Sequence, residues 1–88
     1  MFTMSETAGE YLTTLLDNAN AEEETAIRLV LDGNTLLPKL DNARPGDATF
    51  NHEGRVVLVL DAQVTQVLAE SMLDVRPTEE GPKLVLLR

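Results

Sequence analysis

The 88-residue sequence has no cysteine and no tryptophan, and only one histidine, one tyrosine and two phenylalanines. Without thiols there are no disulfides, no cysteine nucleophile and none of the thiolates on which iron–sulfur clusters and structural zinc sites usually rest. With aromatics limited to Phe2, Tyr11 and Phe50, the core has to be aliphatic, built from Leu and Val. The same shortage excludes the aromatic platforms on which single-strand nucleic-acid binders stack bases. Seven basic residues stand against fifteen acids, for a net charge of −8, and no basic run occurs. Nucleic acid and anionic membrane surfaces are therefore not expected partners, since both carry the same sign. No apolar run approaches the roughly 18 residues of a spanning helix. The N-terminal Met-Phe-Thr-Met-Ser-Glu lacks the basic and long apolar regions of a signal peptide. The expectation is a soluble, cytoplasmic protein without membrane association, its acidity serving solubility, with a basic protein partner or a hard cation left open.

A chain of this length is expected to form one domain, residues 1–88, with one modest core. Thr3-Met4-Ser5-Glu6 fits a capping box with Thr3 as the cap. Ala8, Tyr11, Leu12, Leu15, Leu16 and Ala19 follow on one face of a 3.6-residue period. Gly9 interrupts this helix at a cost of about 1 kcal/mol relative to alanine. It reads either as a close approach to something packed against it or as a tolerated imperfection.

Residues 18–24 read as a solvated loop carrying the acidic triplet Glu22-Glu23-Glu24. Ala26 to Leu31 reads as a strand, Asp32-Gly33-Asn34 as a hairpin turn, and Thr35 to Asp41 as the return strand. Pro38 lacks an amide donor, which places the return strand at a sheet margin. A turn cluster at residues 41–47 leads into a strand over Ala48 to Asn51 and a tight turn at Glu53-Gly54. Arg55 to Leu60 is apolar at five consecutive positions, and a strand without alternation needs cover on both faces. Asp61 is placed to cap a helix from Ala62 to about Glu70, with Val64, Val67 and Leu68 on its inner side. Two last strands, Met72 to Arg76 and Lys83 to Leu87, flank a turn over residues 77–82, and the second of them is again continuously apolar.

These elements make an α+β fold, a small mixed or antiparallel β-sandwich of about six short strands with two helices packed on it. Such apolar strands in so small a domain predict that part of their surface is covered by another subunit, most simply a homodimer burying part of Val56 to Leu60 or Leu84 to Leu87. The alternative is that the helices and the sheet's own curvature suffice.

No position rises to a catalytic, cofactor-binding or metal-ligating assignment. His52 sits beside Glu53 in a proposed hairpin, and no sequence signal supplies the nucleophile or orienting partner that a general base needs. As a metal ligand it would need Asp47, Glu53 or Asp32 nearby; a solvated turn histidine is the preferred reading. Ser5 and Ser71 lie in no nucleophile-elbow motif. None of the five glycines belongs to a phosphate-cradling motif. Three adjacent carboxylates do not converge on one ion without a loop of EF-hand spacing, which is absent.

The sequence nonetheless resembles the HesB/IscA-like family, the A-type carriers of iron–sulfur cluster biogenesis. The similar stretches are Ala26-Ile27-Arg28-Leu29, residues 41–47 (Asp-Asn-Ala-Arg-Pro-Gly-Asp), residues 50–61 from Phe50 through Gly54 to Asp61, and Leu73-Asp74-Val75. They occur in the family's order and span most of the chain from Ala26 to Leu87. The resemblance implies a HesB-like fold. Members of that family hold iron or a cluster with three cysteines, one in a glycine-rich loop after the first strand and two near the C-terminus. Here the first region is Asp32 to Pro38, a plain hairpin, and no family ligand carries over to any position. Carboxylates do not replace the soft thiolates of a cluster. The resemblance therefore implies a non-catalytic domain that has lost iron–sulfur ligation and acts through a protein partner. The alternatives are a biogenesis accessory protein that binds iron weakly or with partner-supplied ligands, and a small hydrolase-like enzyme using His52.

Overall fold

A computed structural model describes residues 1–33 and 35–87. In chain order the elements are β1 (Thr3–Met4), α1 (Glu6–Asn18), β2 (Thr25–Asp32), β3 (Thr35–Asn42), β4 (Ala48–His52), β5 (Arg55–Leu60), α2 (Ala62–Val67), β6 (Met72–Thr78) and β7 (Gly81–Leu87). They form a four-stranded sheet in the order β3-β2-β5-β4 and a three-stranded sheet in the order β1-β6-β7. The expected α+β sandwich with two helices is what the chain forms, with a seventh strand contributed by β1.

That extra strand corrects the expected start of the first helix. Thr3 and Met4 pair in parallel with Met72 and Leu73, and the Thr3 amide donates to the Ser71 carbonyl at 3.1 Å. The cap is Ser5, whose hydroxyl accepts from the Ala8 amide at 3.0 Å and donates to Asp74 at 2.7 Å. Both Thr3 and Ser5 carry a hydroxyl suited to a cap, and pairing to β6 decides between them. On α1, Ala8, Leu12 and Leu16 are fully buried as the period requires. Ala19 is exposed, because the helix ends at Asn18 and Ala19 is its C-cap.

The apolar strand β5 lies inside the larger sheet, parallel to β2 on one side and antiparallel to β4 on the other. Phe50 pairs with Leu58 but Asn51 with Val56, so Val57 is the extra residue of a bulge. A bulge re-aims side chains, and both Val57 and Leu58 reach the core between the sheets. Leu60 joins them, while Val59 lies on the other face beside Arg28. Val57, Leu58, Val59 and Leu60 are all 0 % exposed. Cover on both faces is thus present, and this chain supplies it for residues 57–60. No second subunit is needed over residues 57–60, so of the stretches expected to share an interface, Val56 and Leu84 to Leu87 are the parts that keep exposed surface.

Helix α2 is capped by Asp61, which accepts from the Val64 amide at 2.8 Å. It stops at Val67, short of the expected end near Glu70. Val64 and Leu68 face inward, but Val67 is 55 % exposed. In a helix of six residues, only one turn's worth of positions can face the core, and the pair four apart takes them. Strand β3 is an edge strand, as Pro38 required, with Pro38 opposite Leu29. The last turn is tighter than expected: Pro77 pairs with Pro82 and Thr78 with Gly81, which leaves only Glu79 and Glu80 between the strands.

Candidate functional site

The hairpin between β2 and β3 occupies the place where the resemblance puts a ligand loop. Asp32 and Thr35 are ladder partners, so only Gly33 and Asn34 connect the strands. Gly33 takes φ 63°, a left-handed conformation suited to glycine in a two-residue turn. Asn34, part of the expected turn, lies outside the described residues. Among the described residues, no three His, Cys, Asp or Glu side chains converge as a metal site.

His52 is not the solvated turn residue expected from its position. It ends β4, is half-buried, and packs on α1 at Gly9. A Cβ placed on Gly9 would meet His52 Nδ1 at 2.5 Å and Cγ at 2.8 Å. The helix tolerates its glycine because the imidazole occupies the space, so the close-approach reading of Gly9 is the one the structure bears out. Two cavities of about 380 and 230 Å³ are present, and His52 lines neither.

The most elaborate polar constellation centres on Arg28, which sits mid-strand in β2 between the apolar Ile27 and Leu29 and is only 8 % exposed. Its Nε donates to Asp41 Oδ2 at 2.8 Å, and its two terminal nitrogens reach Asp47 at 2.6 and 3.2 Å. One of them also donates to the Asn42 carbonyl at 3.3 Å. The Arg44 amide donates to Asp47 and its guanidinium to Asp41, at 2.8 and 2.9 Å. The planar fork of arginine suits two carboxylates at once. Hydrogen bonds from Arg28, then from the Arg44 amide, hold the Asp47 carboxyl below its ordinary range. Arg28 and then the Asn42 amide do the same for Asp41. The guanidinium is held charged more firmly than usual, chiefly by Asp47. With every carboxylate engaged, the constellation ties the 43–47 loop across the outer face of the larger sheet. Its chemistry is structural. Sequence reasoning missed it, although an arginine inside an apolar strand, followed within twenty residues by Asp41 and Asp47, is the available signal.

The larger cavity is lined by Glu23, Glu24, Ala43, Gly54, Arg55 and Val56. Arg55 donates to the Glu22 carbonyl at 3.1 Å and lies 3.6 Å from Asp17, while its Nε is buried without a partner among the described residues. Above it, the Glu22 carboxyl is raised from its ordinary value by a hydrogen bond to Glu24 and by that neighbour's charge. The smaller cavity runs between the margins of the two sheets, lined by Tyr11, Leu36, Pro38, Pro82, Lys83 and Leu84. Ser5 and Ser71, weighed as nucleophiles, serve as a helix cap and as a carbonyl acceptor for β1. The hydrogen bond from Ser5, then one from the Val75 amide, holds the Asp74 carboxyl below its ordinary range.

With this geometry in place, known proteins give the fold its class. No family model matches the sequence, and no curated protein matches it. Solved structures do. SufA of Escherichia coli, a protein involved in the biosynthesis of iron–sulfur clusters, superposes with a TM-score of 0.71 at 17 % identity, over 97 % of this chain and 82 % of that one. IscA crystallised with a 2Fe–2S cluster gives 0.67 at 14 %, over 98 % and 83 %. A protein from Aquifex aeolicus solved in solution gives 0.68 at 19 %, over 99 % and 90 %. The chain has the HesB/IscA fold, as the sequence resemblance implied, and it has that fold without a cysteine. No helix among the described residues is long and apolar enough to cross a membrane.

Proposed function

We propose that this chain is a single-domain, non-catalytic protein of HesB/IscA type that has lost iron–sulfur ligation and acts through protein contact. The observation that carries the reading is the pairing of an intact fold with a sequence that has no cysteine. A cluster needs several soft ligands close together, and the ligand loop of the resemblance has become a two-residue turn with Asp32 and Thr35 paired across it. The polar constellations are committed to holding the fold: Arg28 to its two aspartates, Ser5 to Asp74, Asp61 to α2. What is left at the surface is contact area, including Leu40 at 52 % exposure on the β3 margin and the half-exposed end of β7. The working form is a homodimer in the cytoplasm.

Anaerobic reconstitution with ferrous iron and sulfide, read by absorption spectroscopy, tests the loss of ligation. The protein alone is expected to return from desalting without a cluster chromophore; a stoichiometric chromophore would overturn the proposal. Ferrous titration by calorimetry separates the accessory alternative, in which iron is held weakly, because that reading requires saturable heat and the favoured one gives none.

A further inference from the structure

We infer that the larger cavity is a docking site for a basic side chain, an arginine or lysine presented by a partner protein, with Glu23 and Glu24 as its counter-charges and Val56 and Ala43 as the apolar bed for its stem. This deepens the protein-contact reading above and rests on it. The cavity lies at one end of the larger sheet, where β2 and β5 begin and β3 ends. Three segments converge there: the acidic loop that leads into β2, the residue that follows β3, and the Glu53-Gly54 turn with the first residues of β5. The topology brings them together, since β2 runs parallel to β5 and antiparallel to β3.

The lining is of two kinds. Val56 is the one position of the apolar run in β5 that the fold leaves unsealed, and it lines this cavity with Ala43 and Gly54. The rest of the wall is charged. Among the described residues neither Glu23 nor Glu24 pairs with a cation. The cations beside the cavity are already engaged: Arg55 with Asp17 and the Glu22 carbonyl, and Arg44, which follows Ala43, with Asp41. Glu24 makes the Glu22 carboxyl hold its proton more firmly, by a hydrogen bond and then by its charge. That marks the same shortage of positive charge on the loop.

At about 380 Å³ the hollow falls within the range of roughly 300–1,000 Å³ typical of ligand pockets. Glu23, Glu24, Ala43 and Gly54 are all exposed, however, so it does not enclose a free small molecule, which pockets bury by roughly 70–90 %. A long side chain held by its own protein needs no such enclosure. Arginine and lysine lay an aliphatic stem along apolar surface and keep the charged end in a polar setting, and this wall offers both an apolar bed and two carboxylates. Charge selects the partner. The chain carries −8, so a basic protein is drawn to this face, whereas a second copy brings the same excess of acid to it.

The test is a nuclear magnetic resonance titration of the full chain with a capped Gly-Arg-Gly peptide as the probe. Saturable shifts are expected at the amides of Glu23, Glu24, Ala43, Gly54 and Val56. A norleucine in place of the arginine keeps a stem without the charge and is expected to give none. Diaminopropionate keeps the charge on a much shorter stem and is expected to bind several-fold more weakly. Glu23→Gln combined with Glu24→Gln is expected to weaken binding of the arginine peptide about fivefold. Glu79→Gln combined with Glu80→Gln removes the same charge from the turn between β6 and β7 and is expected to change it by less than about twofold. All four glutamates are exposed, so both variants keep the fold. Equal weakening by the two pairs would mean diffuse attraction to an acidic surface and would overturn the site, as would equal binding of the norleucine peptide or no saturable shift at tens of millimolar probe. Each of these failures leaves the reconstitution result above untouched, and a cluster chromophore there would leave these shifts in place.

Discussion

Strands β5 and β7 are written in the same alphabet and meet different fates. Val56-Val57-Leu58-Val59-Leu60 and Leu84-Val85-Leu86-Leu87 are both unbroken apolar runs. β5 is flanked by β2 and β4, overlain by both helices, and sealed from solvent at its last four positions. β7 has one neighbour, and its last four residues stay half-exposed. An apolar run demands cover on both faces; the fold supplies it to the central strand and leaves the marginal strand to find it elsewhere. Position in the sheet, which the run itself does not encode, separates a sealed strand from a half-exposed one.

The sharpest way to break that contrast is to cut the two strands equally. Leu58→Ala removes a side chain with no exposure from the middle of the core and is expected to cost about 3 kcal/mol by denaturant unfolding. Val85→Ala, on the outer face of the edge strand, is expected to cost about 1 kcal/mol or less in the monomer. Equal losses would mean that β7 is as much core as β5.

Next in size is the helix cap that ties α1 to the smaller sheet. Ser5→Ala removes the acceptor for the Ala8 amide and the donor to Asp74, and is expected to lower stability by about 1 kcal/mol. Thr3→Ala is expected to change little, since the contribution of Thr3 to β1 is through its backbone. The reverse order in thermal melts would restore the capping box at Thr3.

The Gly9–His52 contact predicts a change of sign. Alanine at position 9 improves helix propensity by about 1 kcal/mol, yet its Cβ collides with the imidazole. Gly9→Ala is therefore expected to destabilise the native chain and to stabilise the His52→Ala variant, by melts of the four proteins in the cycle. Additive effects would show that His52 moves aside freely.

The smallest departure from neutral-pH behaviour is the one that acid makes in the Arg28 clasp, whose ion pairs are intact at neutrality. Asp41 and Asp47 hold their protons less tightly folded than at the ordinary value of 3.8. Their contribution is therefore complete above that value and lost as pH falls through the depressed values. Acid titration of the melting temperature is expected to show a steep fall in that range for the native chain and a shallower one for Asp47→Asn, with the two curves parallel toward neutrality.

Much of this architecture was legible in the chain. Pro38 marked a margin, Asp61 marked a helix start, and the spacing of Ala8, Leu12 and Leu16 marked a buried face, because each rests on local geometry. The partners of Arg28 and Gly9 were not legible. The first lie thirteen and nineteen residues away and the second forty-three, and a contact at that range is set by how the sheets stack. The same reason hid the cover over β5: no local signal announces that a bulge at Val57 turns two consecutive side chains into one core. The candidate site was legible mainly as a loss. A sequence without cysteine excluded thiolate ligands from the turn at Gly33, while Leu84 to Leu87 was one of two apolar stretches expected at an interface, and only its place at the sheet margin told it apart from Val56 to Leu60.

Amide hydrogen exchange followed residue by residue over a range of protein concentrations tests the central claim most directly. The β5 amides are expected to be slow and independent of concentration, whereas those of Leu84 and Leu86 should slow together as concentration rises and the proposed homodimer covers the end of β7. Fast exchange at Leu84 and Leu86 at every concentration would contradict the account.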